Sequence, residues 1–304
     1  MNSPILRAAN TARLAAPGAM LLAILSITSG ATFAKTLFPL IGAPGTTALR
    51  MIMAAIMLSV WQRIWTLRLT RQSALAGCLY GGALGGMSLL YYMAIERIPL
   101  GIALAFEFVG PLGVAIAFSR RKTDLAWAVL AILGLALLIP LQGGPQALDF
   151  TGIACALAAG FFWGIYILAG RRAGMAFGAQ ATTVGMIVAA LVVMPFGIAS
   201  AGTALLGPEA LMRGLVVAVI SSAIPFSLEM YALKRLHAKS YGILTSMEPA
   251  MGALLGLLIL GEQLAFSKWL GISVIIAASL GTTLSNKQGY EPDDGTSVLT
   301  HENS

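Results

Sequence analysis

Apolar stretches long enough to cross a lipid bilayer follow one another along most of this chain, and they constrain its fold more than any other feature. A run of about 18 or more apolar residues with few charges is typical of a transmembrane helix. Ten such runs occur, at residues 17–36, 44–62, 73–95, 99–119, 124–141, 151–169, 180–200, 210–233, 241–260 and 267–285. Only 10% of the residues are charged, against roughly a quarter in a soluble domain. The sequence predicts an all-α integral membrane protein with ten transmembrane helices.

Two polar ends flank the apolar part. Residues 1–16 are predicted to form a cytoplasmic N-terminal tail, and residues 286–304 a disordered cytoplasmic tail, because a polar segment buries too little apolar surface to fold. Arg7 and Arg13 before an apolar run would also suit a secretory signal peptide. That run is longer than a typical signal-peptide core, and "ATFAKT" is a poor cleavage site. We therefore expect the first run to remain as the first helix.

Cysteine and histidine are too few and too scattered to predict a metal site, a disulfide or a cofactor. Cys78 and Cys155 both lie within apolar runs. His237 lies in a basic loop and His301 in the polar tail. None of these positions has the spacing of a metal-binding motif.

Positive charge is distributed unevenly between the two sides of the predicted membrane region. With a cytoplasmic N-terminus, only Lys35, Arg97, Arg213 and Lys268 of the 19 Lys and Arg residues fall in loops on the opposite side, and Arg50 falls within the second helix. Basic residues accumulate on the cytoplasmic side of membrane proteins. Both termini are therefore predicted to be cytoplasmic, and the net charge of +7 indicates membrane lipid as a partner rather than nucleic acid.

The two halves of the chain show internal similarity. A shift of 138 residues superposes Pro111 on Pro249, and it also superposes the segment "AIERI" on "ALKRL". Residues 17–141 and 151–285 are thus predicted to be two five-helix repeats. Since five is odd, the second repeat must cross the membrane in the opposite sense, which is the inverted-repeat plan of many secondary transporters.

Two acids lie well inside apolar runs, and each is followed by a proline. Glu107 lies in "LAFEFVGPL", four residues before Pro111, and Glu248 lies in "TSMEPAMGAL", directly before Pro249. An acid at the centre of a bilayer costs about 2.5–3.5 kcal/mol on insertion scales. Such an acid normally faces a cavity, so both are predicted to line the path of a solute or a proton, with the prolines as helix breaks. The alternative is that each is protonated and hydrogen-bonded within the helix bundle.

Glu229 and Arg50 are further candidates for this pathway, each with an alternative. Glu229 could instead pair with the nearby Lys234 or Arg235. Arg50 could be a buried partner for one of the acids, or a cation that meets the carboxylate of a substrate. The structural pairing is the preferred interpretation for Arg50.

Aromatic side chains near these positions could line a cavity, because amphipathic rings suit ligands that are partly polar and partly apolar. The candidates are Tyr91, Tyr92, Trp163 and Tyr166. The alternative is that they pack within the bundle or belong to an interfacial belt.

Four longer segments resemble a known family of transporters. The segments are "AKTLFPLIGAPGTTALR", "PLGIALAFEFVGPLGVA", "IPFSLEMYALKRL" and "TSMEPAMGALLGLLILGE". They are similar to the EamA branch of the drug/metabolite transporter superfamily, and in particular to its bacterial inner-membrane exporters of threonine and homoserine. The resemblance extends over about residues 17–285. It implies the export of these small amino acids by alternating access, driven by entry of protons.

The sequence leaves one alternative function open on the same scaffold and does not favour an enzyme or a channel. An exporter of other amino acids or of small amphiphilic drugs remains open, because acids beside tyrosines would also suit a cationic drug. An intramembrane transferase would need a metal-binding acid cluster of the D-x-x-D kind or a His–Glu pair, and neither occurs within the apolar runs. A channel would need a repeated filter or a polar pore ring, and the sequence shows none. An enzyme is therefore not predicted.

Overall fold

The protein is helical throughout the part of the chain that its computed structural model describes, which comprises residues 4–67, 70–117, 122–138, 149–233, 236 and 243–285. No strand occurs among these residues, so the predicted all-α class is confirmed for them. The helices are α1 (Pro4–Ala34), α2 (Phe38–Trp61), α3 (Arg71–Arg97), α4 (Leu100–Glu107), α5 (Val109–Ala117), α6 (Lys122–Leu138), α7 (Phe150–Phe177), α8 (Ala181–Ala201), α9 (Pro208–Ala218), α10 (Ile224–Leu233), α11 (Glu248–Leu260) and α12 (Phe266–Ser285). Helix α1 extends through much of the predicted N-terminal tail, and the predicted C-terminal tail lies outside the described residues.

Several helical stretches are long and apolar enough to cross a membrane. Those that meet both criteria are Ala15–Trp61, Arg71–Arg97, Phe150–Leu206, Pro208–Glu229 and Ile243–Leu260. Shorter apolar helices cover Leu100–Val114, Ala126–Leu138 and Phe266–Gly281. The stretches of 47 and 57 residues each contain two helices, because a 3₁₀ turn interrupts them at Lys35–Leu37 and at Gly178–Gln180 respectively. The protein is an integral membrane protein.

The outer surface of the helix bundle is apolar. Ile132, Phe161 and Leu258 are 63%, 67% and 69% exposed. Side chains of this size would be unfavourable in water, at about 25 cal/mol for each Å² of apolar surface, but lipid tails solvate them. The exposed residues therefore mark the surface that faces lipid.

The helices pack in pairs that bring the early and late parts of the chain together. Helix α2 packs along α8, α4 against α11, and α6 along α12. Helix α3 lies against α7 and α8, whereas α1 lies against α10. This arrangement surrounds a central region that α1, α3, α4, α7, α10 and α11 all border.

Close backbone contact fixes the junction of α4 and α5 against α7. Gly110 lies so near the carbonyl oxygen of Gly160 that a Cβ on Gly110 would overlap it, and a Cβ on Gly160 would overlap the carbonyl oxygen of Glu107. Small residues at such positions let transmembrane helices approach closely. Glycine at both positions therefore holds the end of α4 directly on α7.

We expect Gly110→Ala to destabilise the protein. Alanine alone favours a helix by about 1 kcal/mol over glycine, but overpacking against the Gly160 carbonyl costs about 1–3 kcal/mol. The matched control is Gly113→Ala on the same helix, where a Cβ would meet no atom within 4 Å. The midpoint of thermal unfolding in detergent should fall for Gly110→Ala relative to Gly113→Ala, and equal midpoints would contradict the close contact.

Candidate functional site

A cavity lies between the helices near the centre of the bundle. The lining residues come from six helices and are Ile27, Thr28, Met87, Tyr91, Leu104, Glu107, Trp163, Tyr166, Phe226, Glu229 and Glu248. The predicted candidates Glu107, Glu248, Glu229, Trp163 and Tyr166 are thus brought together at one place.

Helix breaks place both of the intramembrane acids on this cavity. Glu107 is the last residue of α4, and α5 begins at Val109. Pro111 has no N–H, so the carbonyl of Glu107 cannot receive the usual hydrogen bond from four residues later. On the opposite helix, Glu248 is the first residue of α11 and Pro249 follows it in the first turn, where a missing N–H costs little.

The three carboxyl groups of Glu107, Glu229 and Glu248 line the same cavity. Glu107 is 4% exposed, so its carboxyl has little contact with solvent beyond the cavity. Like charges near one another disfavour simultaneous ionisation. The site therefore favours a bound cation, bound protons, or both.

A π-helical turn brings Glu229 to the cavity. The turn covers Val219–Ala223 and joins α9 to α10, and single π turns occur often at functional sites. Phe226 and Glu229 of α10 follow the turn and line the cavity. The alternative partners of Glu229, Lys234 and Arg235, lie outside the described residues.

Aromatic rings from α7 form one wall of the cavity. Trp163 meets Phe108 edge to face, with 5.7 Å between ring centroids. Tyr166 stacks on Tyr80 with centroids 4.8 Å apart, and the Tyr80 hydroxyl donates to the Tyr166 hydroxyl at 3.1 Å. These contacts hold both rings, so the wall is largely preformed.

The adjacent tyrosines of α3 point in different directions. Tyr91 lines the cavity, whereas Tyr92 is not among the lining residues and is 1% exposed, with its ring centroid 5.8 Å from that of Tyr91. Neighbouring residues on an α-helix point about 100° apart, which accounts for the different surroundings of the two rings.

Arg50 does not line the cavity and forms no ion pair within the described residues. Its Nη1 donates to Ser222 Oγ at 2.7 Å and to the carbonyl oxygen of Ser221 at 3.2 Å. The guanidinium carbon lies 4.8 Å from the centre of the Tyr92 ring, and Nε has no hydrogen-bond partner. The structure thus shows Arg50 bound to the π turn and to Tyr92. The interpretation preferred from the sequence, a pairing of Arg50 with one of the acids, is not found among the described residues.

Several lining residues were not singled out from the sequence. Thr28 donates its hydroxyl to the carbonyl of Ile24 within α1, and Ile27, Met87, Leu104 and Phe226 are apolar. Apolar residues in a membrane helix carry no local signal that separates a cavity wall from a lipid-facing surface. The polar residues Ser26, Thr28 and Thr32 of α1 were the one available hint, since polar side chains in a span usually face the protein interior.

Comparison with known proteins identifies the family. Residues 150–284 match the EamA-like transporter family. The threonine/homoserine exporter RhtA of Salmonella typhimurium strain SL1344 is 48% identical over 266 residues, which cover 88% of this chain and 90% of that protein. The chain belongs to the EamA-like transporter family. The protein named threonine/homoserine exporter RhtA in Escherichia coli strain K12 is 47% identical over the same shares of both chains.

A solved crystal structure shares the fold of this transporter. Its sequence is 18% identical, and it superposes with a TM-score of 0.60 over 91% of this chain and 97% of the other. At that identity the similarity concerns the fold alone. The similarity to the named exporters makes this protein a membrane transporter and not an enzyme.

We expect Ser222→Ala to destabilise the transporter by about 1–3 kcal/mol, because it removes an acceptor from the buried Arg50 guanidinium. Ser227→Ala is the matched control, since Ser227 is exposed and donates only to the carbonyl of Ala223 in its own helix. Thermal unfolding in detergent should separate the two variants. If both unfold at the wild-type temperature, the hydrogen bonds of Arg50 to the π turn do not stabilise the fold.

Proposed function

We propose that this transporter exports threonine and homoserine across the bacterial inner membrane. Two observations together support the proposal. The cavity is lined by three carboxyl groups, and the chain is 48% identical to a named threonine/homoserine exporter over 90% of that protein's length. A carboxylate can bind the ammonium group of an amino acid.

The proposed architecture is ten transmembrane helices in two inverted repeats, residues 17–141 and 151–285. Each of the ten predicted spans coincides with a helix or with a pair of consecutive helices. Packing supports the symmetry: exchanging the two repeats maps the contact of α3 with α7 onto that of α10 with α1, and maps the pairs α2–α8, α4–α11 and α6–α12 onto themselves. The family match at residues 150–284 also spans the second repeat alone.

The proposed orientation places both termini in the cytoplasm. It follows from the uneven distribution of Lys and Arg and from the tendency of cytoplasmic loops to be basic. These basic loops would lie at the anionic lipid headgroups of the inner leaflet. In this orientation Lys35, Arg97 and Lys268 lie on the outer side.

The proposed mechanism is alternating access coupled to proton entry. Glu107 and Glu248 come from different repeats and share the cavity, so a movement of one repeat against the other changes the access to both. Protons taken up from outside would release the ammonium group of the substrate from the carboxylates, and loss of protons to the cytoplasm would allow the next substrate to bind. Coupling through shared carboxyl groups needs no further partner.

Export of small amphiphilic cations is the second candidate. Tyr91, Trp163 and Tyr166 line the same cavity as the acids, and aromatic rings beside carboxylates suit organic cations. These residues would also suit a drug-like cation, so competition between the two kinds of solute distinguishes the candidates.

We expect purified transporter in liposomes to catalyse counterflow of labelled threonine. Unlabelled homoserine should compete with it, whereas a cationic dye should not, because the dye lacks the carboxylate and hydroxyl groups of the amino acid. Movement of the dye without movement of threonine would show that the second candidate is correct.

We expect Glu107→Gln and Glu248→Gln to abolish threonine transport driven by a pH gradient, because an amide cannot exchange a proton. Membrane insertion should persist, as measured by the yield of monodisperse protein. Glu209→Gln is the control, since Glu209 lies at the start of α9 in an exposed ion pair with Arg213. Normal pH-driven transport by both cavity variants would refute the proposed role of these acids.

A further inference from the structure

The carboxyl group of Glu262 holds together parts of both proposed repeats. Its Oε1 lies 2.6 Å from Nζ of Lys35, in the turn after α1. Its Oε2 accepts a hydrogen bond from the backbone N–H of Leu100, the first residue of α4, at 2.9 Å. The first N–H groups of a helix have no partner within it, and negative charge is favourable there. One side chain of the second repeat therefore binds two segments of the first.

Local structure around Glu262 directs its carboxyl group to this place. Helix α11 ends at Leu260, and the next residue, Gly261, has a left-handed φ of 67°, which favours glycine. The N–H of Glu262 then donates to the carbonyl of Gly256 at 3.0 Å, which turns the chain back over the helix end. A Cβ on Gly256 would lie 2.5 Å from Oε2 of Glu262, so the glycine leaves room for the carboxylate.

Directly beneath this ion pair, α4 and α11 leave no space between them. A Cβ on Gly101 would lie 2.5 Å from the Cα of Ala253, and a Cβ on Gly252 would overlap the side chain of Leu104. The cavity begins beyond this contact, at Leu104 and Glu107 of α4. On the side of the acids nearer Glu262, these two helices therefore leave no passage between them.

We propose that Glu262 is the outer gate residue of the transporter. Its carboxyl group holds α4 against α11 while the cavity is closed to the outside, and it must release Lys35 and Leu100 when the cavity opens outward. This inference rests on the proposed transport by alternating access in the proposed orientation.

The surroundings of the ion pair allow it to break and re-form. The side chains of Lys35 and Glu262 are 21% and 15% exposed, so each lies within reach of water. Once the repeats separate, water can hydrate both charges and the Leu100 N–H, and no buried charge is left without a partner.

The first test measures access to the cavity from outside and needs no transport. Met87, which lines the cavity, is replaced by cysteine in a chain that also carries Cys78→Ser and Cys155→Ala. Intact cells are then treated with a membrane-impermeant maleimide. Adding Glu262→Gln should raise the labelling rate about tenfold, the change expected on loss of a hydrogen bond to a charged group. The same rate with Glu262→Gln as with Glu209→Gln would overturn the proposal.

The second test locks the gate in otherwise intact protein. The variant Lys35→Cys/Glu262→Cys, in the same cysteine-free background, is joined with a cleavable bifunctional thiol reagent. Threonine counterflow should be lost on crosslinking and return after reduction. The control is Glu209→Cys/Arg213→Cys, one turn apart on α9, where a crosslink leaves the repeats free to move.

The outcomes separate this inference from the proposed function. Counterflow by the crosslinked 35–262 variant at the rate of the crosslinked control would overturn the role of Glu262. If neither variant moves threonine before crosslinking, the proposed substrate is wrong, and the labelling rates alone then decide whether Glu262 closes the outer side.

Discussion

Backbone groups released at helix breaks need partners inside a bilayer, and this requirement accounts for many of the polar contacts in the structure. Water is absent from the hydrocarbon region, so irregular backbone persists there only where protein or a wet cavity satisfies it. Here, side chains from distant helices supply most of the partners. Helix α2 has one such break, at Gly42, whose φ of 69° is not helical, and the N–H of the next residue, Ala43, donates to the carboxylate of Glu96. The other pairs are Glu262 with the N–H of Leu100, and Ser26 and Arg50 with the carbonyls of Ile220 and Ser221 in the π turn.

This requirement also connects the breaks to function. Each break costs stability unless a partner or a cavity is present, so breaks and ionisable residues collect in the same region. The junction of α4 and α5 shows the principle, since its backbone lies directly on Gly160 of α7 and its last α4 residue, Glu107, faces the cavity. The position of the acid is thereby set by backbone contact rather than by flexible side-chain packing.

The all-α membrane class could be predicted, and the acids could be chosen as candidates, because both depend on local sequence. A run of apolar residues or a carboxyl within such a run is informative whatever lies around it. The direction in which a side chain faces is a different matter. Helix α3 is apolar on all sides near Tyr91 and Tyr92, so no polar stripe fixes its rotation, and the tyrosine that reaches the cavity could not be chosen from the sequence.

The hydrogen-bond partners of Arg50 and Glu262 also could not be predicted from local sequence. Arg50 binds serines that lie 171 and 172 residues later in the chain, within a stretch that reads simply as an apolar span. Glu262 follows a helix and resembles any loop acid until α4 is placed beside it. In both cases the residue was visible in the sequence, but its partner was set by how the two halves of the chain pack.

The π turn at Val219–Ala223 contains one residue more than an α-helix of the same axial length. Every residue after the turn is therefore rotated by about 100° relative to its position in an uninterrupted α-helix of the same sequence. The orientation of Phe226 and Glu229 thus depends on the π turn as much as on their identity. Loss of a single residue from the turn, with a regular α-helix restored, would leave this carboxyl facing the cavity. A relative that kept every residue but formed a regular α-helix here would present the carboxyl about 100° away, and its cavity would have two acids instead of three.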